Sequence, residues 1–201
     1  MNKIFIIGEA GVNHNGKLHL AKKLIDVAIK AGVDAVKFQV FRTEEYVACS
    51  DVARFERLKE FELTPDQFSE LAYQSHGAGV AFIATPFDLS SAALTAEICD
   101  AIKIASGDNT FYPLIEKVAA SGKPTILSTG MLDVKELRRP YSMLLEALGR
   151  DNLALLHCVT SYPVIPEDAN VAAVKTLTED FECEIGYSDH TLGVEACLAA
   201  V

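Results

Sequence analysis

Short apolar runs alternate with amphipathic stretches along the whole chain. The runs at Lys3–Ile7, Ala35–Phe41, Val80–Ala84, Ala101–Ala105, Thr125–Ser128, Leu153–His157 and Glu184–Gly186 are nearly continuously apolar, which predicts parallel strands covered on both faces. The intervening stretches carry a helical period. Leu18 to Ala31 sets Leu20, Leu24, Val27 and Ala28 on one face, with Gly32 placed to terminate the helix. Thr64-Pro65-Asp66-Gln67 reads as an N-cap, a proline at the first helical position and a capping-box partner. Asp133 and Glu136 repeat that box before Leu137–Leu148, while Gly122 and Pro124 close the preceding helix. The order is β-α repeated seven times, with strand starts about every 20–45 residues, the spacing of single β-α units. No linker, charge block or internal repeat divides the chain, so it reads as one domain over residues 1–201.

Half of the 201 residues are hydrophobic, ample for a buried core and too many for a disordered chain. Asp and Glu number 28 against 18 Lys and Arg, a formal net charge of −10. That balance argues against non-specific nucleic-acid binding, yet a local cluster of lysines can still hold a small anion. No apolar segment is long enough to span a bilayer, and the four apolar residues Ile4 to Ile7 are too few for a secretory leader. A cytoplasmic location is expected. Five widely spaced cysteines without a CxxC pair read as reduced thiols and argue against a zinc site. The absence of GxGxxG and GxxxxGK[ST] argues against a dinucleotide or a P-loop nucleotide.

Parallel β-α architectures place ligands at the carboxyl ends of their strands. Here the strands end in Gly8-Glu9-Ala10-Gly11-Val12-Asn13-His14-Asn15-Gly16, Lys37-Phe38-Gln39, Thr85-Pro86-Phe87-Asp88, Lys103-Ile104-Ala105-Ser106-Gly107-Asp108, Ser128-Thr129-Gly130-Met131, His157-Cys158-Val159-Thr160-Ser161-Tyr162-Pro163 and Tyr187-Ser188-Asp189-His190-Thr191. Polar groups at every strand end favour a barrel, which gathers all ends around one mouth, over an open sheet with one switch point. Lys37 and Lys103 lie within otherwise apolar strands, so each needs a bound anion or a carboxylate such as Glu9 or Asp108. Two such lysines beside Ser106, Ser128 and Ser188 point to a phosphate. The helix expected to begin near His14-Asn15-Gly16 offers free N–H groups to the same anion. His190 is placed either to ligate a metal or to make an ordinary hydrogen bond; His14 and His157 are further candidates. His19 and His76 read as solvent-facing or structural. Cys158 reads as a packing thiol.

These strand-end motifs, together with Leu127-Ser128-Thr129-Gly130-Met131 and Leu156-His157-Cys158, resemble the N-acetylneuraminate (sialic acid) synthase family in order and spacing over essentially the whole chain. The resemblance implies a TIM-type (β/α)8 barrel, with seven of its β-α units present, that condenses phosphoenolpyruvate with an N-acetylated hexosamine such as N-acetylmannosamine. The products would be a nonulosonic acid and phosphate. Lys37, Lys103, Ser106, Ser128 and Ser188 match phosphoenolpyruvate contacts, and Gln39, Thr85 and Asp108 match polar residues of the same mouth. Tyr162 matches a sugar contact, His190 a ligand of a divalent metal (Mn2+ or Mg2+), and Glu9 the acidic residue beside the reacting carbons. In the family an eighth strand with a second metal-binding histidine, an eighth helix and a C-terminal domain follow, the last capping the partner's site in a homodimer. The chain is therefore expected to be one unit short of the barrel, by about 25–30 residues. Legionaminate or pseudaminate synthase is the neighbouring alternative. A non-catalytic sugar- or phosphate-binding module, or an aldol enzyme using a phosphorylated sugar, are alternatives of other kinds.

Overall fold

A computed structural model describes residues 4–201. The chain divides into two compact units, residues 1–102 and 103–201, and each is described on its own. In the first, the order is β1 (Ile7–Gly11), α1 (Leu18–Ala31), β2 (Ala35–Val40), α2 (Thr43–Tyr46), α3 (Val52–Lys59), α4 (Pro65–Gly77), β3 (Ala81–Pro86), α5 (Leu89–Ile98) and the start of β4 (Ala101–Ile104). β1, β2, β3 and β4 are neighbours in that order and pair in parallel. The registers set Glu9 beside Lys37 and Gln39 beside Thr85. Paired residues of a parallel sheet share a face, so these four polar groups lie on one side of the strands. Phe38 faces the opposite way, stacked 5.6 Å from Phe82, in a core with Ala21 and Ile25 of α1 and Phe68 and Leu71 of α4.

Two expectations shift. The first strand lies at Ile7–Gly11 instead of Lys3–Ile7, and Lys3 falls outside the described residues. Ile4, Phe5 and Ile6 are exposed; the ladder with β2 starts only at the Ile7–Ala35 pair and bulges between Glu9 and Gly11. Hydrogen-bond register, not apolarity, chose the strand. In α1 the buried stripe centres on Ala21 and Ile25, flanked by Leu18, Leu24, Ala28 and Ile29, while Val27 is 62% exposed. Leu20 and Val27 sit roughly a third of a turn off that stripe. The helix ends at Gly32 in the left-handed conformation the sequence predicts.

The second unit runs from the rest of β4 through α6 (Tyr112–Ala120), β5 (Thr125–Ser128), α7 (Val134–Leu148), β6 (Leu153–His157), α8 (Ala173–Asp180), β7 (Glu184–Tyr187) and α9 (Glu195–Ala199). β5, β6 and β7 are parallel neighbours, with Ser128 opposite Leu156 and His157 opposite Tyr187. Both capping boxes form: Thr64 with Gln67 ahead of α4, and Asp133 with Glu136 ahead of α7. The expected bounds of the fifth and sixth strands are met to the residue.

Candidate functional site

In the first unit, Lys37 is 3% exposed, and its Nζ meets Glu9 Oε2 at 2.9 Å and Thr85 Oγ1 at 3.1 Å. The carboxylate named from the sequence as a possible partner is thus its partner. Glu9 itself is half exposed, so the ammonium is enclosed while its counter-charge faces water. An ammonium has three donors. Glu9 and Thr85 occupy two. Gln39, further along the same face of β2, is half-buried.

The turn after β1 does not do what the sequence predicts. α1 starts at Leu18 with Lys17 as N-cap, and His14 to Gly16 form turns ahead of it. The N–H of Asn15 goes to Val12 O, that of Gly16 to His14 Nδ1 at 3.1 Å, and that of Lys17 to His14 O. These donors are already engaged and are not anion contacts. His14 is buried against Phe38, ring centroids 6.1 Å apart, and burial pushes its pKa down. Its Nε2 has no hydrogen-bond partner among the described residues. Burial therefore favours the neutral form of His14. His76 is structural, pairing with Asp100 at 2.8 Å.

In the second unit β4 carries the buried Lys103 into a 3-10 turn, Ser106–Asp108. Ser106 Oγ lies 2.9 Å from Cys158 Sγ. Asn109 Nδ2 donates to Ser128 O at 3.2 Å and Gly130 O at 2.9 Å, tying the turn to the end of β5. Ser128 Oγ and Asp108 Oδ2 are both buried without a hydrogen-bond partner among the described residues. Buried polar atoms left in this state are uncommon, because most find a hydrogen-bond partner. Burial raises the Asp108 carboxyl to about 6, so it can hold or release a proton near neutral pH.

That shift has a stability consequence. Between the ordinary carboxyl pKa near 4 and about 6 the folded chain binds the Asp108 proton more tightly than the unfolded chain, so stability falls as pH rises through this window. Asp108→Asn removes the buried carboxylate. Its Tm at pH 7.5 is expected to exceed that of the wild type, by the equivalent of about 1 kcal/mol once the remaining solvation of the carboxyl is allowed for. The gap should close below pH 4. A gap that is constant with pH would contradict the assignment.

β6 and β7 bring Tyr162 and His190 together. Tyr162 OH lies 2.9 Å from His190 Nε2, with ring centroids 4.0 Å apart, and His190 Nδ1 lies 2.6 Å from Val159 O. The carbonyl accepts the Nδ1 proton, which leaves the lone pair on Nε2, where it accepts from the Tyr162 hydroxyl; this is the tautomer a metal-binding histidine uses. Among the described residues, however, no three His, Cys, Asp or Glu side chains stand together as a metal site. One suitable donor is present, and the described residues do not complete a metal centre. Ser188 donates its backbone N–H to His157 O at 2.9 Å and is half-buried. His157 is buried, with Nε2 on the Ala169 carbonyl at 3.0 Å and its ring stacked on Tyr187. Asp189 accepts from Thr191 N, Thr191 Oγ1 and Tyr187 OH. Although burial opposes its charge, hydrogen bonds from Thr191, Cys197 and Tyr187 hold its pKa below the usual carboxylate range. Sequence reasoning missed the Ser106–Cys158 contact. Nothing in the spacing of residues 106 and 158 signals it.

Parallel strands that alternate with helices and carry enclosed lysines, with serines and acidic groups at their ends, define an α/β protein. The chain belongs to the NeuB family, which matches residues 24–201. It is 46% identical over 198 residues to an uncharacterized protein from Methanocaldococcus jannaschii, covering 98% of this chain and 58% of that protein. It is 38% identical over 216 residues to the N,N'-diacetyllegionaminic acid synthase of Campylobacter jejuni, covering 100% of this chain and 65% of that enzyme. The crystal structure of N-acetylneuraminic acid synthetase from Leptospira borgpetersenii, in complex with citrate, is similar with a TM-score of 0.93 and 38% identity. That similarity covers 99% of this chain and 69% of the crystallised one. No helix among the described residues is long and apolar enough to cross a membrane.

Proposed function

We propose that the chain is the condensing part of a nonulosonic acid synthase, with strands belonging to a (β/α)8-type barrel. It joins phosphoenolpyruvate to an N-acetylated hexosamine such as N-acetylmannosamine. The observation that carries this reading is Lys37: an ammonium enclosed within β2, held by one half-exposed carboxylate and one hydroxyl, with a donor to spare.

In the reaction C3 of phosphoenolpyruvate bonds to the aldehyde carbon, whose oxygen takes a proton. Water adds at C2 and loses a proton, and the C2–O bond to phosphate breaks. In the first unit Lys37 and Thr85, with Gln39, serve to orient the anionic substrate, and Glu9 to steady positive charge at C2 or direct the water. In the second unit Lys103, Ser106, Ser128 and Ser188 are donors to phosphate, and Asp108 is a group able to carry a proton. Tyr162 is assigned to the sugar. His190 is assigned as one ligand of Mn2+ or Mg2+, which when bound would polarise the aldehyde oxygen. A cytoplasmic homodimer accompanies this reading.

The test is phosphate release from phosphoenolpyruvate with Mn2+, using the natural full-length protein and three aldehydes in parallel: N-acetylmannosamine, a diacetamido hexosamine and a phosphorylated sugar. Release with N-acetylmannosamine is expected. Preference for the diacetamido sugar moves the assignment to a legionaminate- or pseudaminate-type synthase, for which the Campylobacter jejuni relative speaks. A strict need for the phosphorylated sugar points to a different aldol enzyme, and no release with any of them to a binding module.

A further inference from the structure

We infer that Cys158 is a positioning residue for Ser106, holding the serine hydroxyl so that its proton is presented to the anionic substrate; this rests on the phosphoenolpyruvate reading above. Both side chains are buried, and Sγ and Oγ are 2.9 Å apart. A serine hydroxyl has a single proton, and sulfur is a poor acceptor. With an anion bound, the hydroxyl proton goes to the anion. The thiol proton then goes to the serine oxygen, and both hydrogens are used.

The surroundings crowd this pair together. A Cβ added at Gly130 would fall 2.7 Å from Ser106 Oγ, 3.0 Å from Cys158 Sγ and 2.9 Å from Thr160 Cγ2. The glycine is thus the gap through which the ends of β4 and β6 meet. The backbone under Ser106 is fixed as well. Asp108 N bonds to Ala105 O at 3.0 Å, and Asn109 ties the turn to the carbonyls of Ser128 and Gly130. The thiol then orients the side chain above that backbone, at the Oγ–Sγ contact. Ser128 differs, because its buried Oγ has no hydrogen-bond partner among the described residues. A hydroxyl oriented before binding loses less freedom when the ligand arrives.

The experiment measures the calorimetric Kd for phosphoenolpyruvate in the wild type and in the Cys158→Ala, Cys158→Ser, Ser106→Ala and Ser106→Ala/Cys158→Ala variants, with circular dichroism to confirm folding. Cys158→Ala is expected to weaken binding about 5- to 10-fold, the size of one neutral hydrogen bond. Cys158→Ser, which keeps a donor, should recover most of that loss. The double variant should bind no worse than Ser106→Ala, because the thiol acts through the serine. Full additivity, or a serine variant no better than alanine, overturns the inference. The infrared S–H stretch reads the same contact without substrate. It should lie at the lowered frequency of a bonded thiol and rise in Ser106→Ala. A bonded band in a wild type that binds no phosphoenolpyruvate removes the substrate assignment alone, whereas a band unaffected by Ser106→Ala removes the positioning role.

Discussion

Lys37→Ala is expected to weaken phosphoenolpyruvate binding by about 100-fold while the chain keeps its fold. A charge-assisted hydrogen bond to an anion inside an enclosed site is worth about 2–4 kcal/mol, and roughly 2.7 kcal/mol corresponds to a hundredfold. Lys37 can make such a bond because its side chain is shut away from water and Glu9 and Thr85 hold it from two sides. The fold survives for the same geometrical reason. Glu9 is half exposed, so when its partner is lost it is solvated instead of stranded. The melting temperature should move by no more than about 2–4 °C, the equivalent of about 1 kcal/mol. Lys37→Arg should restore charge without restoring affinity, because a planar guanidinium does not fit where a compact ammonium is clamped. Near-wild-type affinity in Lys37→Ala would falsify the placement of the anion at this lysine.

Gly16→Ala carries the largest expected loss of stability. Gly16 has φ +69°, and an added Cβ would lie 1.9 Å from the backbone carbonyl oxygen of Glu60. Backbone cannot swing aside as a side chain can, so the turn after β1 or the segment joining α3 to α4 must move. Left-handed strain costs an alanine about 1–2 kcal/mol and the collision adds a similar amount, so the loss should reach about 3 kcal/mol. The melting temperature should fall by roughly 6–12 °C. Gly32→Ala separates the two causes. Gly32 has φ +76° but open space around its missing Cβ, so it should show only the strain, about 1–2 kcal/mol. Equal losses in the two variants would mean that the contact with Glu60 is not the source.

The periodic parts of this chain were legible before any coordinates. β5 and β6 are short apolar runs bounded by Pro124, Gly149 and polar strand ends, and their expected limits agree with the structure. The capping boxes at Thr64 and Asp133 are local, because each needs residues only three positions apart, and both form. Long-range choices were less legible. Ile4 to Ile6 are as apolar as the β1 residues, yet pairing with β2 starts at Ile7. The His14 turn has the composition of an anion site, but its N–H groups are used by the turn itself and by the histidine ring. Cys158 looks like an ordinary packing thiol until three strand ends bring it against Ser106.

The sequence alone determined the β-α order, the strand ends that carry polar groups, and the lysines and serines set along them. Those properties come from period, capping and composition, which act over a few residues. Only the tertiary structure decided which groups touch. It paired Lys37 with Glu9, Tyr162 with His190 and Ser106 with Cys158, and it left Ser128 and Asp108 with buried polar atoms that have no hydrogen-bond partner among the described residues. Such contacts depend on strand register and on where a glycine leaves room. Both are set by hydrogen bonds and packing between residues far apart in the chain, and no local pattern records them.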